Sequence, residues 1–253
     1  MKVILSMILW LVPMLTPYGL QIGVVQTNNK TIRIMKMNLN NPAFLQMASN
    51  VGGTLETRFV FAEGQNQVML SSNGDVIIKS VQGGEKVSET YSDLNDTFVT
   101  INADEGTEVI IYGAVTNLRN HPFMNVNTFA SLDVSKNTAL TSLQCSGCTG
   151  LTSLDVSKNT ALTSLQCDDC QNLLMLNIKN TAELEGDAIL DQSMANLTTL
   201  QVAGTSAWAY EQVESWLSDF APDGGTIYVD ENTPQGVITE AQGKSWTIEY
   251  VNQ

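Results

Sequence analysis

Residues 131–145 read SLDVSKNTALTSLQC, and residues 153–167 read SLDVSKNTALTSLQC again without a substitution. An identical stretch at an offset of 22 is one structural unit used twice, and a period of this size marks stacked repeats. Inside the unit the apolar pattern recurs at half that period. Leu132, Leu143, Leu154, Leu165 and Leu176 form one apolar ladder, and Leu140, Leu151, Leu162, Leu173 and Leu184 form another. A third alternates Val134, Cys145, Val156, Cys167 and Ile178. One such unit cannot enclose its own apolar residues, so each must stack on its equivalent one turn away.

Units such as LTSLDVSKNTALTSLQC make this stretch resemble the leucine-rich repeat proteins of anaerobic gut bacteria and their phages. The resemblance covers about Phe129 to Ala203, less than a third of the chain. It implies a short solenoid of three to four coils. It also implies that Asn137 and Asn159, matched by Cys148 and Cys170, point inward to satisfy backbone groups in the turn leaving each strand. Proteins of this kind are surface, adhesive or virion components, so the resemblance speaks for a fold more than for a ligand. After Leu184 the register loosens through AELEGDAILDQSMA, an irregular or helical insertion, and NLTTLQVAG at 196–204 restores a strand in register with LTSLQC.

The cysteines need separate treatment. Cys145-x-x-Cys148 and Cys167-x-x-Cys170 have the spacing of a four-cysteine zinc site. Yet the repeat alone produces that spacing, because the first of each pair sits on the Val/Ile ladder and the second on the Asn position. Buried thiols, disulfides and a metal site are the three readings, and the ladder favours small buried thiols with no metal.

The expected fold is β-rich and mixed: an N-terminal antiparallel β domain, then a short leucine-rich repeat solenoid, then a C-terminal α/β cap. The boundaries are a hydrophobic N-terminal segment over 1–24, a sandwich-like or meander domain over 25–127, repeats over 128–203 and a cap over 204–253. In the second of these, Leu55, Thr57, Phe59 and Phe61 alternate with Glu56, Arg58 and Val60, the period of a half-buried strand. QVMLS, DVIIKSV, TFVTINA and EVIIYGAV follow, divided by Ser72-Asn73-Gly74, Gly83-Gly84 and Asp104-Glu105-Gly106 as turns. About six strands fit. In the cap, Tyr210, Val213, Leu217 and Phe220 fall at helical spacing with Trp208 and Trp216 nearby, and TIYVD and WTIEYV read as strands. The helix is expected to close the last coil.

The N-terminal run VILSMILWLVPML after Lys2 has the length of a signal-peptide core but no small-residue cleavage site behind it. An exported protein, an uncleaved segment buried in an assembly, and a start site placed too early at a leader before Met35 are the three readings.

Twelve Lys and Arg stand against 26 Asp and Glu, a formal charge of −14. Nucleic acid is thereby excluded as a partner, since no basic patch exists to displace phosphate counterions. The single histidine, His121, sits beside Pro122, which leaves no His-dependent triad and no multi-His metal site. No glycine-rich phosphate loop is present, and no acidic pair stands in a calcium-loop or hydrolase motif. The chain therefore reads as a non-enzyme without a small-molecule cofactor.

The candidate ligand-binding residues are the outward positions beside the ladder: Ser142, Gln144, Ser146, Ser164, Gln166 and Asp168. They would meet a protein or glycan on a cell surface. Because Ser and Gln offer no aromatic or Arg anchor, the expected mode is multivalent, low-affinity adhesion outside the cell. The alternative is a virion structural protein, a head fibre or decoration that docks on neighbouring virion proteins through its N-terminal region. An ice-binding array of Thr141, Thr152 and Thr163 is the third reading, weakened by the break at Leu174.

Overall fold

The computed structural model describes residues 21–27, 30–38, 55–63, 66–120, 128–185 and 189–251, the first two segments by backbone alone. The leader and anchor readings rest on residues 1–24, of which all but 21–24 lie outside the described ones, as do His121 and Pro122; the stretch of the late-start reading, 27–37, is described by backbone except at 28 and 29.

The fold is β-rich and mixed, with one largely antiparallel sheet and one parallel sheet. Strands β1 (Gln21–Thr27), β2 (Lys30–Asn38), β3 (Glu56–Phe61), β4 (Gln67–Gln82), β5 (Glu85–Tyr91), β6 (Thr97–Thr100) and β7 (Glu108–Arg119) make up the antiparallel part. The repeats supply β8 (Phe129–Asp133), β9 (Ser142–Gln144), β10 (Ser153–Asp155), β11 (Ser164–Gln166) and β12 (Met175–Asn177). Then come β13 (Thr199–Gln201), α1 (Ala207–Asp219), β14 (Gly225–Val229), α2 (Gln235–Gly243) and β15 (Trp246–Tyr250).

One expected turn is not a turn. QVMLS and DVIIKSV are two halves of β4, a single 16-residue strand, and Ser72-Asn73-Gly74 lies at a break of register against β7. Gly74 takes φ +81° there, and Gly113 opposite takes φ +118°. A Cβ on Gly113 would stand 2.6 Å from the Asp75 carbonyl oxygen, so only glycine fits this bulge. The chain does not reverse because both halves of β4 keep pairing with β7. Gly83-Gly84, with φ of +59° and +79°, is the expected reversal, a tight hairpin loop joining β4 to β5. Strand β5 escapes the alternation pattern because its sequence, EKVSETY, is polar at most positions.

The kinked β4–β7 ribbon gives each half its own neighbours. Beyond the bulge, β4 and β7 carry β5 and β3, with β2 and β1 outside β5 and β8 outside β3. Before it, β6 lies on the free side of β4 and β9 on the free side of β7. The β7–β9 pair is parallel, and with it the chain changes from antiparallel to parallel pairing.

From there, neighbouring strands of the same sheet lie one full period apart: Leu143 faces Leu165, and Leu154 faces Leu176. The second period contributes one strand to each sheet, β10 to the parallel sheet and β11 to the larger one, whereas both strands of the first, β8 and β9, join the larger sheet. Between strands the chain bends through two successive i→i+3 turns. Asn159 N donates to Val156 O at 2.9 Å and Leu162 N to Asn159 O at 2.9 Å, and the same bonds recur one period earlier at Asn137 and Leu140. The ladder residues inside the turns and strands are buried in one core that runs from Phe59 in β3 to Trp246 in β15. Each leucine so enclosed contributes about 1.5–3 kcal/mol.

LTTLQVAG departs from the expected alignment. Thr199–Gln201 resembles Ser164–Gln166 in sequence but pairs with Met175–Asn177, on the other sheet. The insertion before it carries the chain past one strand position, so the next strand to form extends β12 rather than β11. Among the described residues of that insertion no helix forms. The cap then continues the parallel order β10-β12-β13-β14-β15, with α1 and α2 as crossovers. Helix α1 starts at Ser206, whose hydroxyl accepts from Ala209 N at 3.0 Å. It buries Ala209, Tyr210, Val213, Trp216 and Leu217. Phe220, expected in that stripe, lies at the helix end and is 46% exposed.

Candidate functional site

Repeating leucines fix which residues face out. Leu118, Leu143 and Leu165 are fully buried on β7, β9 and β11, so their neighbours on either side point away from the core. Register then places Asn117 beside Ser142 and Ser164, and Arg119 beside Gln144 and Gln166. The second row continues across the antiparallel strands: Arg119 faces Met69 of β4, and Met69 faces Phe98 of β6. Five strands from two differently paired regions thus carry one outward row, Phe98–Met69–Arg119–Gln144–Gln166. At about 4.8 Å per strand it is roughly 19 Å long.

The predicted residues divide accordingly. Ser142, Gln144, Ser164 and Gln166 share this face, each half-buried between its neighbours. Ser146 does not face out: it is 4% exposed, its hydroxyl donates to Asp168 Oδ1 at 2.5 Å, and its carbonyl accepts from Asn120 Nδ2. Asp168 lies beyond the end of β11, where its carboxylate accepts from the Ser146 hydroxyl.

Sequence reasoning missed Phe98, Met69, Asn117 and Arg119, and with them the aromatic and Arg anchors it found lacking. The signal was present. Thr116-Asn117-Leu118-Arg119-Asn120 has the same T-x-L-x pattern as Thr141-Ser142-Leu143-Gln144-Cys145, a degenerate copy offset by 25 positions instead of 22.

Arg119 is held in a polar relay. Its Nε donates to Asn117 Oδ1 at 3.1 Å, and Asn117 Nδ2 donates to Asp96 Oδ1 at 3.1 Å. Ser71 donates to the same carboxylate oxygen at 2.9 Å and accepts from Asp96 N at 2.8 Å. Asp96 adopts φ +42°, a conformation that Asp tolerates better than most residues. The relay orients the guanidinium through its Nε.

The threonine array is dismantled by the geometry. Thr141 and Thr163 belong to one side of the coil, where their hydroxyls donate to the carbonyls of Thr116 and Thr141 at 2.9 and 3.1 Å. Thr152 precedes β10 on the other sheet.

On the outer face of that second sheet, Asp155 and Asn177 are occupied locally. Each accepts from the backbone N–H two positions on, Ser157 and Lys179, and so caps its own turn.

Asn and Cys separate by side. Asn159 Nδ2 donates to Val134 O at 2.9 Å and to Asn137 O at 2.7 Å. Cys170 stands in the equivalent place on the other side, and its thiol donates to Cys145 O at 3.3 Å. All four cysteines are buried with free thiols, and among the described residues no three His, Cys, Asp or Glu converge on a metal position. Burial pushes the Cys148 thiol up to about 11. The neighbouring Cys170 thiol, and then burial, raise Cys145, and burial raises Cys167. Nucleophile and metal ligand alike require the thiolate, which this core disfavours.

At pH 8 a maleimide should therefore modify no cysteine in the folded protein and all four in denaturant, as counted by intact mass. The unfolded chain releases thiol protons near about pH 8.5 while the folded chain retains them, so stability should fall as pH climbs from there toward 11. Replacing Cys148 by Ala should flatten that alkaline slope in thermal melts.

Cavities are small. One of about 140 Å³ lies between β8 and β10 beside Arg58, whose guanidinium is already paired with Glu56 and Glu108. Another of about 270 Å³ lies beside Asp104, whose carboxylate accepts from Gly83 N and Gly84 N. Both fall below the roughly 300–1,000 Å³ of small-molecule sites. Among the described residues, no helix is long and apolar enough to cross a membrane. No protein-family model matches the chain, and neither does any curated protein or solved structure.

Proposed function

We propose that the chain is a non-catalytic recognition protein of the cell surface or extracellular space, and that its middle is a short leucine-rich-repeat type of solenoid. Parallel strands paired one sequence period apart, with buried leucines and inward Asn, support the repeat reading. The observation that carries the functional reading is the outward row Phe98–Met69–Arg119–Gln144–Gln166. It joins an exposed aromatic, 44% accessible, to an oriented guanidinium and to the repeated amides. Aromatic and Arg side chains are the ones that dominate recognition energetics. Protonated, buried thiols weigh against cysteine-based catalysis.

Adhesion tests the proposal. Beads coated with the purified full chain should be retained on bacterial or host cells. The double variant Phe98→Ala/Arg119→Ala should lose at least about tenfold in retention, since truncating such anchors costs about 2 kcal/mol or more. Its melting temperature should stay within a degree or two of wild type, because both side chains lie outside the core. Wild-type beads that adhere to no cell surface, or a double variant that adheres normally, would contradict the proposal.

A further inference from the structure

We propose that Asn73-Gly74 is a site of spontaneous modification: in the folded protein the pair cyclises to a succinimide, which water opens to aspartate and isoaspartate, and the product releases the turn that carries Asp96. This is the chain's one Asn-Gly pair, and both residues are exposed.

The reaction takes water alone as its co-reactant. The Gly74 amide nitrogen gives its proton to hydroxide and attacks Asn73 Cγ. A new C–N bond forms, the carboxamide C–N bond breaks, and the leaving nitrogen takes a proton from water and departs as ammonia. A further water opens the ring on one side to aspartate and on the other to isoaspartate. The sum is asparagine plus water giving an acid plus ammonia, with no oxidation or reduction.

Cyclisation requires an attacking nitrogen outside the strand ladders and room beside it for a ring. Position 74 meets both demands. Pairing of β4 with β7 stops at Asn73, opposite Ala114, and resumes at Ile77, opposite Tyr112. Pairing with β6 covers Gln67 to Leu70, and pairing with β5 begins at Val76. Gly74 therefore sits in the bulge with no strand paired to it. It carries no side chain, and no heavy atom stands within 4 Å of where a Cβ would be. The competing positions are held. In Asp223-Gly224, the chain's one Asp-Gly pair, the glycine N–H donates to Lys244 O at 2.7 Å. Asn137 and Asn159 are buried, with Nδ2 committed to main-chain carbonyls.

Isoaspartate routes the main chain through Cβ and Cγ, one methylene longer, between Ser72 and Gly74. Those two residues hold the turn that follows β5. Ser72 N donates to Leu94 O at 2.9 Å, Leu94 N to Ser72 Oγ at 3.2 Å, and Asp93 N to Gly74 O at 3.4 Å. Ser72 Oγ also donates to Gly74 O at 2.9 Å. Asp93 and Asp96 in this turn adopt φ +48° and +42°, so its shape depends on these anchors.

The test is incubation of the full chain, folded, at pH 7 and pH 8, with peptide mass mapping and isoaspartate counted by a protein isoaspartate methyltransferase. Conversion should be fastest at Asn73 among all described asparagines. It should run about tenfold faster at pH 8, because the deprotonated fraction of a weak acid far below its pKa rises tenfold per unit. Asn73→Gln, which would need a larger ring, should remove the signal. Anion exchange separates the aged form by its added charge, and its amides at 93–96 should exchange hydrogen several-fold faster than in fresh protein. Conversion at Asn73 only in urea, faster conversion at another asparagine, a rate indifferent to pH, or unchanged exchange at 93–96 would overturn the proposal.

Discussion

Trp216→Ala is expected to lower stability by about 3–5 kcal/mol and the melting temperature by roughly 10 °C. Trp216 is 1% exposed and is the bulkiest fully buried side chain among the described residues. Its ring meets that of Trp246 edge-to-face at 5.9 Å, and its Nε1 donates to Asp191 O at 3.0 Å. Truncation opens a cavity between α1 and β15 and leaves the Asp191 carbonyl, in the insertion that precedes β13, with the Met194 N–H as its remaining donor. The loss therefore falls where α1 and β15 meet the insertion before β13. Calorimetric melts of Trp216→Ala beside Phe220→Ala test this. Phe220 ends the same helix but is exposed, so its removal should shift the melt by a degree or two at most. Equal shifts would show that burial of Trp216 is not what anchors α1.

The second large effect is expected at the Asn position. Asn159→Ala should cost about 2–3 kcal/mol, because two buried carbonyls, Val134 O and Asn137 O, each lose a side-chain donor. The cost stays moderate because each carbonyl keeps one backbone donor, Asn137 N and Leu140 N respectively. Asn159→Cys should cost less. Cys170 shows that a thiol in this place reaches the carbonyl of the preceding coil, at Cys145. The substitution also removes Asn159 Oδ1, which is buried with no partner among the described residues. Denaturant titrations should rank wild type above Asn159→Cys and Asn159→Cys above Asn159→Ala. A Cys variant as unstable as the Ala variant would show that carbonyl satisfaction is not what the position supplies.

The duplicated stretch marks its own buried positions in the sequence, because its information is local and redundant. Leu143 and Leu165 carry the same instruction one period apart, and burying one without its equivalent is impossible. Elements α1, β14 and β15 in the cap were likewise visible as an apolar stripe and two apolar runs. What escaped was non-local. Nothing near Gly74 says that the chain continues straight, since the decision rests on Gly113, far along the chain, and on the pairing of both halves of β4 with β7. The alternation of sides also hid in the half-period, which aligned Thr152 with Thr141 and Thr163 although the structure puts it on a different sheet.

The candidate site was half legible for the same reason. Ser142, Gln144, Ser164 and Gln166 come from the perfect repeat, whereas Arg119 comes from a copy whose spacing had slipped out of the period. Met69 and Phe98 join the row only through antiparallel pairing from strands far away in sequence. Ser146 was misplaced because the outward alternation ends with β9 at Gln144. Beyond it the chain turns inward, and the hydroxyl finds Asp168.

Which face recognises the ligand is the central claim, and the buried native thiols make it directly measurable. A cysteine placed at Ser164 on the row-bearing face, or at Thr247 on the outer face of the parallel sheet, can be capped with a bulky maleimide while the native thiols stay unmodified. Bead adhesion to cells should be abolished by the adduct in Ser164→Cys and unchanged by the adduct in Thr247→Cys. Adhesion that survives the first adduct, or is lost with the second alone, would place recognition elsewhere.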